Sequence, residues 1–330
     1  MSTKTVICEL CPKACRIPHG AAGDCRVRVN IEGKIVSTIY GRPSALHVDP
    51  IEKKPLNHFF PGSGIFSIAT AGCNLHCKNC QNWQLSQRSG AEMEVRYKAP
   101  PEKIVEATER TGCKSIAYTY SEPIIFYEYV YDTAKLAIKK GIKNVLVTAG
   151  FVNPSPWRKL LKLIDACNID LKYFDDSLYR KNSEGWLKPI LDSLVICKEM
   201  DVWLEITHLL IPTLNDDMVK IRKMCKWMYK NLGADTPLHI SRFHPQYKLR
   251  NLPATPGETL IRARNEAMDV GLKYVYIGNL HGHPAESTFC PKDGKLLIKR
   301  LGYVIAENNI IKGRCKFCKE KIAGRWHDEI

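Results

Sequence analysis

The sequence predicts an α/β fold: an open or closed barrel of six or seven strand–helix units, with a cysteine-rich cap before it and a short tail after it. Three observations lead there. Apolar strand-like runs alternate with helix-like stretches from about residue 64 to 280, as parallel strands joined by crossover helices require. No GxGxxG or GxxxxGK[ST] loop follows the first strand, so the commonest nucleotide-binding sheets lose support. Of fourteen cysteines, groups of four, three and three lie close together in the chain, a grouping that argues for metal.

Residues 1–60 read as a compact, loop-rich cap, 61–284 as the barrel and 285–330 as the tail. In the cap, stretches 25–30 and 34–39 alternate about Glu32-Gly33, which reads as a β-hairpin. The barrel strands are expected at 65–70, 115–119, 144–148, 168–171, 203–209, 237–241 and 274–277. Helices are expected at 101–110, 124–140, 155–164, 189–200, 217–231 and 259–270, with Gly141 and Gly271 following two of them as C-terminal stops. The tail has few apolar runs, so it needs a metal or must dock on the barrel.

Hydrophobic residues make up 45% of the 330 positions, enough for a sizeable core. No apolar run reaches the ~18–20 residues of a membrane span, and the N-terminus lacks the apolar stretch of a signal peptide. The expectation is a soluble, cytoplasmic protein that meets no membrane. The net charge of +15 is spread along the chain without a concentrated arm, and reads as a solvated surface. Nucleic acid is therefore not the expected partner, although a basic surface can attract RNA or an acidic protein.

The strand run 65–70 leads into Cys73-Asn74-Leu75-His76-Cys77-Lys78-Asn79-Cys80, a C-x3-C-x2-C spacing. Three thiolates on one tight loop hold three irons of a [4Fe–4S] cube and leave the fourth open to a small molecule. A structural zinc ion wants four ligands in a closed tetrahedron; His76 is the alternative fourth ligand for that case.

On these residues the chain resembles the radical SAM superfamily, which implies a partial (β/α)6-type barrel with S-adenosylmethionine (SAM) on the open iron. The resemblance further implies reductive cleavage of SAM to methionine and a 5′-deoxyadenosyl radical that abstracts hydrogen from a substrate. Residues 118–123 stand where the family carries a Gly-Gly-Glu-Pro-like motif, so Glu122 is expected to accept a hydrogen bond from the SAM amino group. Asp170-Leu171-Lys172 resembles the Asp-Leu-Lys motif of glycyl-radical-activating enzymes, which makes Asp170 and Lys172 cofactor contacts. Segment 148–151 resembles their Thr-Asn-Gly-Tyr, and 238–245 their Leu-Leu-Pro-Phe-His strand, with His244 as the matching histidine. Segments 8–28, 48–62, 72–87, 118–129, 168–173 and 274–279 together look like the AmmeMemoRadiSam-system proteins, themselves similar to pyruvate formate-lyase-activating enzymes. That resemblance implies Memo-like and AMMECR-like partners and a low-potential electron donor such as ferredoxin or flavodoxin. Asn79 departs from the aromatic residue often found before the last cluster cysteine, which leaves Trp83 as the candidate for the adenine contact. His208, His281 and His283 are open candidates.

Cys8, Cys11, Cys15 and Cys25 offer four thiolates within 18 residues; structural zinc is the leading reading and an auxiliary iron–sulfur cluster the alternative. Cys290, Asp293, Cys315 and Cys318 look like a zinc ribbon with one cysteine replaced by aspartate, expected to bind more weakly than the cap or to stay empty. Cys113, Cys167, Cys197 and Cys225 stand alone, as core residues. The expected function is radical SAM chemistry on a protein or peptide residue, with a small metabolite or RNA as the alternative substrate. A non-catalytic zinc-ribbon protein that binds nucleic acid is the competing class. It accounts for the charge and the outer cysteines but not for the barrel or the three-cysteine loop.

Overall fold

The computed structural model describes residues 4–93, 98–280 and 282–327. One eight-stranded sheet organises it: β1 (Ala45–Pro50), β2 (Gly64–Ala69), β3 (Ser115–Tyr118), β4 (Lys143–Thr148), β5 (Ala166–Asp170), β6 (Trp203–Leu210), β7 (Leu238–Arg242) and β8 (Val275–Gly278). The strands lie in chain order across the sheet. All neighbours from β2 to β8 are parallel, and β1 pairs antiparallel with β2, from Ala45 opposite Ala69 to Pro50 opposite Gly64. Among the described residues no pairing joins β8 to β1, so the barrel is open along one side.

Each parallel connection contains helix: α1 (Trp83–Ser86) and α2 (Pro101–Thr111), then α3 (Tyr127–Lys139), α4 (Pro154–Leu161), α5 (Asp176–Ser183) with α6 (Leu187–Glu199), α7 (Met218–Leu232) and α8 (Gly257–Asp269). The seven expected strand runs all form. The edge strand β1 was not expected, because it is half exposed and carries His47 and Asp49, so it lacks the apolar run that marks a buried parallel strand.

Strand side chains alternate between faces, and the two faces of this sheet differ in kind. Phe66, Ile68, Ile116, Leu146, Cys167, Ile169, Leu204, Ile206, Leu238 and Ile240 face the helices and join the main core. The concave face carries Ile65, Ala117, Val145 and Ala166 at its lower end, where Ile51, Leu56, Phe59 and Phe60 plug it. Above that plug the inward residues are small or polar, among them Thr119, Thr207, His239, Ser241 and Gly278, and they leave a cavity. It opens toward the carboxyl ends of the parallel strands, where α/β barrels place their chemistry.

The cap hairpin forms at Arg28–Ile31 and Lys34–Ser37. Glu32 and Gly33 both take positive φ, +50° and +84°, the geometry of a two-residue hairpin turn. A bidentate ion pair from Arg28 to Glu128 of α3, 2.8 Å at each contact, holds the cap to the barrel. The tail forms a three-stranded antiparallel sheet of Thr288–Phe289, Leu296–Leu301 and Val304–Asn308. It packs on Tyr274 and Tyr276 through Leu297, Ile298, Ile322 and Trp326. No helix is long and apolar enough to cross a membrane, among the described residues.

Candidate active site

The cavity above the plug has a volume of about 600 Å³, and Cys73, Cys77, Cys80, Glu122, Asp170 and Lys172 all line it. The cysteine loop is fixed before any ligand arrives. His76 N donates to Ser183 O and Lys78 N to Asn182 O, both at 2.9 Å, so the loop is laced to the end of α5. The Asn74 side chain donates to Phe151 O at 2.8 Å. Gly72 enters the loop at φ +90°, and a Cβ there would sit 2.7 Å from Cys25 O. Only glycine allows the cap to press on the loop at that point.

The three thiols surround the mouth of the cavity. No three ligand atoms including these sulfurs lie within 4.8 Å of one another among the described residues, so they do not form the shell of a single ion. Three thiolates would hold three irons of a cubic cluster and leave one corner for a ligand in the cavity. Burial pushes the Cys73 and Cys77 thiols above their ordinary pKa, so ligation must displace their protons. His76 is turned away from the cavity: Nε2 meets Asp24 at 2.8 Å and Nδ1 meets Gln87 at 2.9 Å. The alternative of His76 as a fourth ligand at this loop is thereby lost.

Glu122 follows β3 and is buried. Its carboxyl accepts from Ile124 N at 3.2 Å, from Ala149 N at 2.8 Å and from Thr148 Oγ1. Burial raises its pKa against those three donors. A carboxylate has about four acceptor positions, so roughly one remains for a donor in the cavity. Asp170 and Lys172 share a face at the end of β5 and pair with each other at 2.7 Å. Their segment is clamped from behind: His208 Nδ1 donates to Leu171 O at 2.7 Å, Asn215 to Lys172 O at 3.0 Å, and Lys172 N to Tyr179 Oη at 2.8 Å. His208 is thus a buried support, not a cavity group.

Two polar layers lie deeper. Asp49 of β1 accepts from Lys53 at 2.8 Å, from buried Lys54 at 2.7 Å, from Ser67 at 2.8 Å and from Tyr120. Burial opposes its charge, but these donors hold its carboxyl far below the usual range. Tyr120 takes φ +64° to reach it, a strained backbone of the kind that gathers at functional sites. Below, fully buried Glu205 accepts from Asn57 N at 3.0 Å, His58 N at 2.8 Å, Trp203 Nε1 at 3.0 Å and His239 Nε2 at 2.7 Å. A lone acid inside the apolar run of β6 was a visible signal for this layer, and sequence reasoning passed over it. Asn79 Oδ1, Ser121 Oγ and Tyr173 Oη are buried without partners, and all three residues line the cavity. A ligand with several donors and acceptors fits there better than solvent-free space.

Other expected residues lie elsewhere. His244 is exposed beyond the end of β7 and does not line the cavity, because His239 and Ser241 hold the inward positions of that strand. Trp83 stacks on Tyr247, with ring centroids 5.1 Å apart, and stays outside the cavity; the lining aromatics are Tyr120, Tyr173, Tyr276 and Tyr303. His283 caps the short turn Pro284–Glu286 by accepting from Ala285 N at 3.1 Å. His281 lies outside the described residues. Cys8, Cys11, Cys15 and Cys25 line one small second cavity together with Asn74. No three of their sulfurs come within 4.8 Å of one another. Cys290, Asp293, Cys315 and Cys318, by contrast, bring all four ligand atoms within that distance.

Comparison with known proteins agrees with this geometry. Residues 67–225 match the family model described as the radical SAM superfamily. An uncharacterized protein of Methanocaldococcus jannaschii is 44% identical over 96% of this chain and 95% of its own length. The pyruvate formate-lyase-activating enzyme of Clostridium pasteurianum is 25% identical over 60% of this chain and 87% of its own. Among solved structures, Streptococcus suis SuiB bound to S-adenosylmethionine superposes with a TM-score of 0.51 at 16% identity, over 74% of this chain and 56% of that one. At that identity the likeness is one of fold alone.

Proposed function

This chain belongs to the radical SAM superfamily and is related to activating enzymes, and on that premise we propose that it cleaves SAM reductively at a [4Fe–4S] cluster on Cys73, Cys77 and Cys80 and abstracts hydrogen from a protein or peptide residue. The observation that carries the reading is the set of three thiols at the cavity mouth, with Glu122 facing the same space and His76 turned away. When bound, the cluster supplies the electron that splits SAM into methionine and a 5′-deoxyadenosyl radical, which takes a hydrogen atom from the substrate.

The residues of the chain bind and orient. Glu122 accepts from the amino group of SAM with its remaining acceptor position. That N–H donor would complete the hydrogen bonding of a carboxyl group whose charge burial disfavours. Lys172 meets the carboxylate of SAM and Asp170 the ribose. Asn79, Ser121 and Tyr173 supply the partnerless polar atoms around it. The plug at Ile51, Leu56, Phe59 and Phe60 closes the lower end of the barrel to water. A protein or peptide substrate follows from the relation to activating enzymes. Ferredoxin or flavodoxin serves as the electron donor, and Memo-like and AMMECR-like proteins as partners on the narrower resemblance. Membership in an enzyme superfamily displaces the non-catalytic nucleic-acid reading.

Anaerobic incubation with SAM and dithionite tests the main reading. It should yield 5′-deoxyadenosine and methionine; a protein with its full central cluster that yields neither would overturn it.

A further inference from the structure

The tail carries two loops of the same build. In the first, Cys290 to Asp293, Gly294 takes φ +69° and its N–H donates to Cys290 O at 3.0 Å. In the second, Cys315 to Cys318, Lys319 takes φ +62° and its N–H donates to Cys315 O at 3.0 Å. Each loop has a ligand residue at its first position and a second one three residues on, followed at once by a left-handed residue that turns the chain. Asp293 therefore stands in the first loop where Cys318 stands in the second.

The four side chains converge. Cys290 Sγ and Cys318 Sγ are 3.5 Å apart, Cys315 Sγ and Asp293 Oδ2 are 4.0 Å apart, and all four atoms lie within 4.8 Å of one another. Bonds of about 2.3 Å from zinc to sulfur place the corners of a tetrahedron about 3.8 Å apart. We infer that Cys290, Asp293, Cys315 and Cys318 bind one zinc ion in a closed, structural Cys3Asp site. This reverses the order expected from the sequence, in which the cap was the stronger zinc candidate.

Three thiolates and a carboxylate around a divalent ion leave a net charge of about −2. Lys292, Lys295, Lys316 and Lys319, all within or beside the two loops, offset it. The site is also where a small unit needs a staple. Cys290 and Cys315 are buried against Tyr274, Leu297 and Trp326 at the outer edge of β8. The same tail strand carries Arg300, buried, which lines the main cavity and donates to Asn57 O at 2.8 Å and Thr288 Oγ1 at 2.7 Å. Zinc thus fixes the element that walls the open side of the barrel.

The test measures metal on full-length protein purified anaerobically, without SAM or reductant, so its outcome is independent of the radical chemistry. Zinc should be present at about one per chain and survive in Cys8→Ser/Cys11→Ser. It should be lost in Cys315→Ser/Cys318→Ser. Because that double variant can also unfold the tail, Asp293→Cys is the second arm: it should retain the metal. When the protein is produced with cobalt in place of zinc, its sulfur-to-cobalt absorption should rise by about a third, for four thiolates against three. Absence of zinc from the unaltered protein would overturn the assignment. So would zinc unchanged in the Cys315/Cys318 variant, a Cys290–Cys318 disulfide in the anaerobic protein, or identical cobalt spectra with Asp293 and with cysteine there.

Discussion

Cys73, Cys77 and Cys80 surround the mouth of a cavity, whereas Cys290, Cys315, Cys318 and Asp293 converge on one point beneath the tail sheet. The first group hangs on a loop that leaves a buried parallel strand at its carboxyl end, where small inward side chains keep space open. The second sits on two matched turns sealed by Tyr274, Leu297 and Trp326. Both offer three thiols, and the chain spacings C-x3-C-x2-C and C-x2-C do not by themselves say which is open. The fold decides: a vacant coordination position is useful only where a small molecule can reach it, and a filled one only where something must be held. The same contrast explains His76, which has the right chemistry to close the central site and is kept from it by Asp24 and Gln87.

The sharpest way to break this comparison is to remove ligands from each side. Cys73→Ala, Cys77→Ala and Cys80→Ala should each abolish the visible iron–sulfur absorption and reduce 5′-deoxyadenosine formation to background, because a cube on three thiolates has no spare protein ligand. Cys315→Ser/Cys318→Ser should leave the central iron in place, and Cys113→Ala, in the core beneath α2, should keep both cluster and turnover. A full cluster and full turnover in Cys77→Ala would end the central assignment.

How much of this was legible follows from what each segment buries. Strands β2 to β8 are mostly buried and read as largely apolar runs, so their order was visible in the chain. The cap hairpin announced itself through Glu32-Gly33, and the cluster loop through its spacing. What the sequence hid is pairing across long separations. Asp49 with Tyr120, Glu205 with His239 and Asn57, and His208 behind Leu171 are polar contacts whose partners lie 34 or more residues apart. Nothing local marks them. His244 lies outside the cavity for a related reason: it falls two residues past the end of β7, and where a strand stops is set by its neighbours rather than by a local motif.

A smaller effect separates residues that face the cavity from those that merely match a motif. Glu122→Ala and Asp170→Ala should each retain the cluster and weaken SAM binding, since a hydrogen bond to a charged group contributes roughly 1.5–3 kcal/mol, or about ten- to a hundred-fold in affinity. His244→Ala, exposed beyond β7, should leave SAM affinity unchanged. Equilibrium binding to the anaerobic protein decides it; unchanged affinity in both acid variants would remove them from the cofactor site.

The smallest expected effect lies at the seam where the barrel meets the tail. His58 is fully buried there, with Nδ1 2.6 Å from Ala323 O of the tail and Nε2 beside Tyr276 Oη. A neutral ring satisfies both, donating to the carbonyl and accepting from the phenol, and burial holds the pKa of His58 down to about 4. The unfolded chain protonates this histidine near pH ~6.5. The folded state binds that proton less readily, so the stability His58 contributes is complete above about 6.5 and is lost as pH falls toward 4. Glu205, where burial opposes the charge but the contacts to His239 and Trp203 and the other groups around it together depress the pKa, adds its own loss only below the unfolded carboxyl value of ~4.3. Burial lowers the pKa of His208 as well and adds a loss of the same sign, so the difference between the unaltered protein and a His58 variant, rather than the total loss, reports His58. From pH 7 to 5.5 the linkage amounts to about 1.2 kcal/mol. Urea unfolding at both pH values should show a pH-dependent loss about 1 kcal/mol smaller in His58→Asn than in the unaltered protein, because the amide still reaches Ala323 O but does not titrate. Equal pH dependence in the two proteins would mean that the seam is held without a neutral histidine. The tail would then be anchored to the barrel by its packing on Tyr274 and Tyr276 and by the Arg300 contact to Asn57 O.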